Sequence, residues 1–132
     1  MANNYAQYAA HLSIPEGVED RCKEVIENTL KEREEQGEWV NVGQYRVDGN
    51  GVLFQDDGES FNAEDVAAVV EALFEEFDLE EPFICTYAFT CDKARPGEFG
   101  GGGFMVRKDK PTEWVDAYSH LQEIADKDKE NI

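Results

Sequence analysis

The sequence predicts a single α+β domain over residues 1–132: an antiparallel sheet of four to five strands with helices packed mainly on one face, in the order α-β-β-α-β-β-(β)-α. Three observations predict it. Two stretches carry apolar residues at helical spacing, Val18, Cys22, Val25 and Ile26 in one and Val66, Val69, Val70 and Leu73 in the other. Around them lie β-branched and aromatic runs, "EWVNVGQYRV", "VLFQD", "PFICTYAFTC" and "FMVRKD". Short hairpin-type connections between these runs favour an antiparallel sheet over crossovers. At 132 residues the chain is long enough for one domain burying roughly two thirds of its unfolded surface.

Taken in order, residues 1–12 carry no clear period and predict a flexible or loosely docked N-terminal arm. "SIPE" then fits a capping box, with Ser13 accepting a free amide, Glu16 reaching back and Pro15 in the first turn. Val18, Cys22, Val25, Ile26, Thr29 and Leu30 continue one stripe, so a helix is predicted over 16–35, stopped by Gly37. Residues 38–56 predict a β-hairpin whose turn uses the tolerance of Gly49, Asn50 and Gly51 for positive φ. Asp48 and Asn50 imitate the start of a calcium loop, but Val52 and Leu53 break that pattern. The turn reading wins.

The clearest element is the helix over 62–77. Asn62 can cap it, Glu64 and Asp65 suit its positive end, and Val66, Val69, Val70, Leu73, Phe74 and Phe77 form an unbroken stripe. The strand at 83–91 alternates, with Phe83, Cys85, Tyr87, Phe89 and Cys91 toward the core and Ile84, Thr86, Ala88 and Thr90 away from it. A glycine-rich loop, "RPGEFGGGG", follows, and residues 92–101 are expected to be mobile and exposed. Strand 102–108, a turn at "KDKPT" and an edge strand at "EWV" come next. Asp116 caps a last helix with Tyr118, Leu121, Ile124 and Ala125 inward, and 127–132 read as a frayed tail.

Charge carries the functional reading. Thirty acids against twelve bases leave −18, and no Lys or Arg occurs between Arg46 and Lys93, an interval with thirteen acids. Such a surface argues against direct nucleic-acid binding, which needs rows of Lys and Arg against phosphates. No apolar run approaches the roughly 20 residues that span a bilayer, and the N-terminus lacks a secretory pattern, so a cytoplasmic protein without membrane contact is expected. Cys85 and Cys91 lie about 20 Å apart along one strand, beyond the roughly 7 Å reach of a bridge, so reduced thiols are expected. With two histidines and no C-x-x-C, neither a metal nor another cofactor is expected.

A phosphate cradle needs glycines feeding a helix N-terminus, whereas Gly100–Gly103 feed a strand, so a close backbone approach at a strand start is the better reading. Ser13, Ser60 and Ser119 lack a nucleophile setting, and Ser119 and His120 are helix neighbours that do not face each other. A non-enzyme is expected. The stretch "TCDKARPGEFGGGGFMV" followed by "EWVDAY" resembles small acidic proteins encoded by phages and prophages. That resemblance implies the setting of anti-CRISPR and anti-restriction inhibitors, some of which mimic nucleic acid in their charge pattern, and hence a host-cell cytoplasm; it implies no particular site.

The physics of the acidic stretch points the same way. Phosphates along one strand recur about every 7 Å, twice the axial spacing of about 3.4 Å per strand. Carboxylates four apart on a helix lie about 6 Å apart, so Glu71 and Glu75 approximate adjacent phosphates. The candidate partner-binding row is Asp56, Asp57 and Glu59 before the helix, Glu64, Glu71, Glu75 and Glu76 on it, and Asp78, Glu80 and Glu81 after it. Its expected partner is a basic host protein that itself binds nucleic acid. The alternative is a small binding or regulatory module whose acidity serves solubility, with the 92–103 loop as contact through Arg95, Glu98 and Phe99.

Overall fold

A computed structural model describes residues 4–37, 39–57, 61–94, 96 and 99–130. The described elements are β1 (Asn4–Leu12), α1 (Glu19–Glu35), β2 (Gln44–Asp48), β3 (Gly51–Asp57), α2 (Ala63–Phe77), β4 (Phe83–Cys91), β5 (Gly100–Arg107), β6 (Lys110–Asp116) and α3 (Ala117–Glu130). The strands make one six-stranded sheet, order β2-β3-β1-β4-β5-β6, antiparallel at every pair. The α+β class with an antiparallel sheet is as the sequence predicts. The element order is not, because it begins with a strand.

Residues 4–12 are therefore no arm. β1 lies in the middle of the sheet, with Tyr8 opposite Asp56 of β3 on one side and Tyr87 of β4 on the other. Ala6, Tyr8 and Leu12 are buried while Gln7, Ala9 and His11 are exposed, which is the period of a half-buried strand. The Tyr8 hydroxyl donates to the Val42 carbonyl, and its ring lies 4.2 Å from that of Phe61. Burial, and then the nearby Cys85 and Asp56, push the Tyr8 hydroxyl pKa well above its usual range, so it stays a donor.

α1 starts at Glu19, three residues after the predicted boundary. Glu16 and Gly17 form a turn with Gly17 at φ +82°, so the helix begins beyond it, and Val18 occupies the cap position with no side-chain bond. Cys22, Val25 and Ile26 are buried as expected. At the far end the Gly37 amide bonds to the Glu34 carbonyl at 3.0 Å, closing the helix just past Gln36. The β2–β3 hairpin forms with Asp48 opposite Gly51; its Asp48 carboxylate accepts the Asn50 amide at 2.8 Å, and Gly51 alone of the three turn residues takes positive φ.

α2 follows its sequence closely. The Asn62 side chain accepts the Glu64 amide at 3.0 Å, and Val66, Val69, Val70, Leu73 and Phe74 are buried. α1 packs along α2, and the pair covers the sheet face that carries Val52, Phe54, Phe83, Cys85, Phe104 and Val106. On β4 the predicted alternation holds at Phe83 and Cys85 and weakens toward the strand end, where Phe89 is exposed.

The glycines belong to β5 rather than to a loop: Gly100–Gly103 pair with Phe89, Ala88, Tyr87 and Thr86. A Cβ on Gly102 would lie 2.5 Å from the Val115 carbonyl oxygen, and one on Gly103 2.5 Å from that of Cys85. Close strand approach is what these glycines permit. β6 is longer than the predicted edge strand and follows a turn at Lys108 and Asp109.

α3 is capped as predicted, the Asp116 carboxylate accepting the Ser119 amide at 2.8 Å, but it continues to Glu130, so 127–130 are helical rather than frayed. Its apolar residues do not point inward: Tyr118 is 74%, Leu121 65% and Ile124 47% exposed, and nothing on the helix is buried. No residue separates β6 from α3, so the strand end sets the phase of the helix. That phase turns Ser119, His120 and Glu123 toward Tyr87 and Trp114, around a cavity of about 270 Å³.

Candidate functional site

Because the apolar stripe of α2 faces the sheet, its opposite side must carry what remains. Glu64, Glu71, Glu75 and Glu76 are exposed along the helix, and Asp78, held left-handed at φ 51° as the C-cap, is exposed at its end. α1 lies beside α2, and the groove between them is lined by Arg21, Asn28, Thr29, Glu32, Glu75 and Glu76. A second groove, of about 560 Å³, separates α2 from the β5–β6 turn, with Glu71, Glu75 and Asp78 on one wall and Lys108, Lys110 and Thr112 on the other. Glu75 borders both.

The stretch without bases in sequence has bases beside it in space. Arg21 pairs with Glu76 and, at 3.0 Å, with Glu24. The Arg21 hydrogen bond holds the Glu76 carboxyl below its usual range, and the same bond raises the guanidinium pKa. Lys108 lies 2.7 Å from Asp78 and 3.9 Å from Glu80, and the hydrogen bond to Asp78 raises the ammonium pKa. The Thr112 hydroxyl donates to Glu71 at 3.0 Å. Among the described residues Glu64, Glu75 and Glu81 have no ion-pair partner.

Other predicted positions scatter. Asp56 is half-buried on β3 opposite Tyr8, and Asp57 lies at the strand end opposite Gln7, so neither extends the row on α2. Glu80 and Glu81 line a separate cleft with His11, Pro82 and Ile84. Glu59, Arg95 and Glu98 lie outside the described residues, while Phe99 is exposed. Two residues acquire roles the sequence did not signal. Glu32 joins Glu75 and Glu76 from the other helix, and only the packing of α1 on α2 reveals it.

Asp65 is the second. It is fully buried, accepting from Arg33 at 2.5 Å and from the Asn41 amide at 2.9 Å, and so ties α1, α2 and the segment before β2 together. An acid at the start of α2 that reads as a helix-dipole partner is thus an internal anchor. Cys22 and Cys85 are buried thiols and Cys91 is half-buried, all unbridged. Burial, with a smaller contribution from Glu19 at Cys22, pushes the thiols of Cys22 and Cys85 up to about 11, so both stay protonated near neutrality.

Among the described residues no cluster of three or more His, Cys, Asp or Glu is arranged to hold a metal ion, and no helix is long and apolar enough to cross a membrane. No family model, curated protein or solved structure matches the chain. Fold and surface together define a small α+β protein whose antiparallel sheet bears, on one side, a helical layer edged with carboxylates.

Proposed function

We propose that the protein is a non-catalytic inhibitor whose α1–α2 face occupies the basic groove of a nucleic-acid-binding protein, of the CRISPR or restriction type that the phage-like setting implies. One observation carries this reading. Glu32, Glu75 and Glu76 from two helices line one groove, and Glu75 has no basic partner among the described residues. Like-charged neighbours four apart on a helix, as Glu71 and Glu75 are, cost about 0.2–0.5 kcal/mol, so the arrangement does not serve helix stability. It presents carboxylates at about the 6 Å spacing of one helical turn, on a helix packed against α1 and the sheet. Charge-dominated association of this kind is fast and weakens with salt.

The test is capture from a cell lysate by the immobilised protein and by its Glu32→Lys/Glu75→Lys variant. Both positions are exposed, so circular dichroism should be unchanged. The wild type is expected to retain a nucleic-acid-binding protein that excess duplex DNA or raised salt releases, and the variant to retain at least ten-fold less. Equal capture by the variant, or a partner that DNA does not displace, rejects the proposal.

A further inference from the structure

α3 is turned inside out. Its apolar stripe, Tyr118, Leu121 and Ile124, faces water, while Ser119, His120 and Glu123 line the cavity of about 270 Å³ above the sheet. A helix that only covered a core would do the reverse. The sheet beneath it is hollowed at one place. Residues opposite one another on neighbouring strands share a face, and one such row runs Tyr87, Gly102, Asp116 from β4 to β6. Gly102 puts no side chain between its two neighbours. A Cβ there would lie 3.1 Å from the Tyr87 hydroxyl as well as 2.5 Å from the Val115 carbonyl oxygen, so the glycine holds open the floor of the cavity. In the next row Phe104 and Trp114 stand side by side with ring centroids 4.9 Å apart, which sets the indole against Phe104.

We propose that this cavity binds a quaternary ammonium group, held between the rings of Tyr87 and Trp114 and neutralised by Glu123 and Asp116. The lining selects a cation. It has two aromatic rings, two carboxylates and no Lys or Arg, on a chain whose net charge of −18 concentrates cations at its surface. Glu123 has no ion-pair partner among the described residues. One Asp116 oxygen accepts the Ser119 amide at 2.8 Å, which offsets the positive end of α3 beside the cavity. Aromatic walls favour a bulky, weakly hydrated cation whose charge meets the negative ring faces. Edge contacts to Phe61 at 5.8 Å and Phe89 at 5.4 Å position the Tyr87 ring. Burial, and then Asp116 and Cys85, raise the Tyr87 hydroxyl pKa, so the phenol stays protonated near neutrality.

Size narrows the class. The cavity is smaller than the roughly 300–1,000 Å³ of pockets for drug-sized ligands, so it has room for one headgroup or side-chain end and not for a nucleotide. A quaternary ammonium of that size occurs on free choline-type molecules and on trimethylated lysine in proteins. The site shares no residue with the groove between α1 and α2, so it stands or falls apart from the acidic interface.

Titration of the full chain carrying Trp39→Phe with choline, at constant ionic strength, tests this through the emission of Trp114, then the one remaining tryptophan. The expected result is a saturable change, with none from 3,3-dimethylbutan-1-ol, which has the same shape without the charge. Glu123→Gln should weaken binding about three-fold, and Glu123→Lys about ten-fold or more. Leu121→Gln on the outer stripe should leave it unchanged. Both positions are exposed, so circular dichroism should not move. A trimethyllysine peptide that binds more tightly than choline, and more tightly than its unmethylated form, assigns the group to a partner protein; tighter binding of choline assigns it to a free small molecule. Emission that neither choline nor the peptide changes up to about 10 mM overturns the proposal. So does equal binding of the neutral alcohol, or choline binding indifferent to Glu123→Lys.

Discussion

β1 and α3 stand at opposite ends of the chain and at opposite extremes of burial. β1 pairs along both its edges and buries Ala6, Tyr8 and Leu12, whereas α3 has a satisfied N-cap and a clean apolar stripe yet buries nothing. The difference teaches that an apolar stripe stabilises a fold only where the chain brings a surface to it. β3 and β4 close on β1 from two sides and α1 and α2 cover it, while α3 leaves the sheet in a phase imposed by β6. Amphipathy is a property of a segment, and burial is a property of its neighbours.

The largest effect should come from deletion. Removing residues 1–12 takes out the strand that joins the β2–β3 hairpin to β4, β5 and β6, and is expected to abolish cooperative unfolding in denaturant. Removing 117–130 should leave a folded domain with a retained β-sheet signal. A shortened chain lacking 1–12 that still unfolds cooperatively would break the contrast between the two ends.

Charge sharpens the same contrast. Asp65→Ala leaves the Arg33 guanidinium and the Asn41 amide without this buried partner, and should cost about 3–5 kcal/mol in denaturant melts. Asp126→Ala on exposed α3 should stay within about 0.5 kcal/mol. Comparable losses at the two sites would mean that burial does not separate them.

Apolar truncation follows. Leu73→Ala in the core should cost about 2–5 kcal/mol. Leu121→Ala on α3 should cost under about 0.5 kcal/mol, since little area leaves water in the folded protein. A Leu121→Ala loss above about 1 kcal/mol would show that α3 finds a seat in solution.

The smallest effect concerns thiols. Cys85 on β4, the strand beside β1, has its pKa raised by burial from an ordinary 9.0 to about 11. It should resist alkylation at pH 8, while a cysteine placed by Leu121→Cys reacts freely. The sign for stability follows: the unfolded thiol ionises first, so the stability contributed by the buried thiol is complete below pH 9 and is lost as pH rises toward about 11. A melting temperature that rises across this window would contradict the assigned burial.

Much of the fold was legible because its signals are local. The Asn62 cap, the stripe from Val66 to Phe74 and the hairpin turn at 48–51 each depend on residues within a turn or two of one another. β1 was not legible because alanines at 6, 9 and 10 blunt its alternation, and the strand at 102–108 was legible except for its start at Gly100, because four successive glycines have no side chains to alternate. The acidic side of α2 was legible from helical spacing. Its neutralisation was not, since Arg21 and Glu76 are 55 residues apart and Lys108 reaches Asp78 from the turn between β5 and β6.

By itself the sequence determined the α+β class, the course of α2, most of α1, the β2–β3 hairpin and an acidity concentrated between residues 47 and 92. Tertiary structure alone decided that β1 is central, that the apolar side of α3 faces water, that Asp65 is an anchor, and that Glu75 rather than Glu76 or Asp78 keeps an unpaired charge. Periodicity and caps act over a few residues and tell each segment which side is apolar. Strand pairing, ion pairing and burial depend on distances between segments far apart in the chain, which exist only once the sheet has closed around β1.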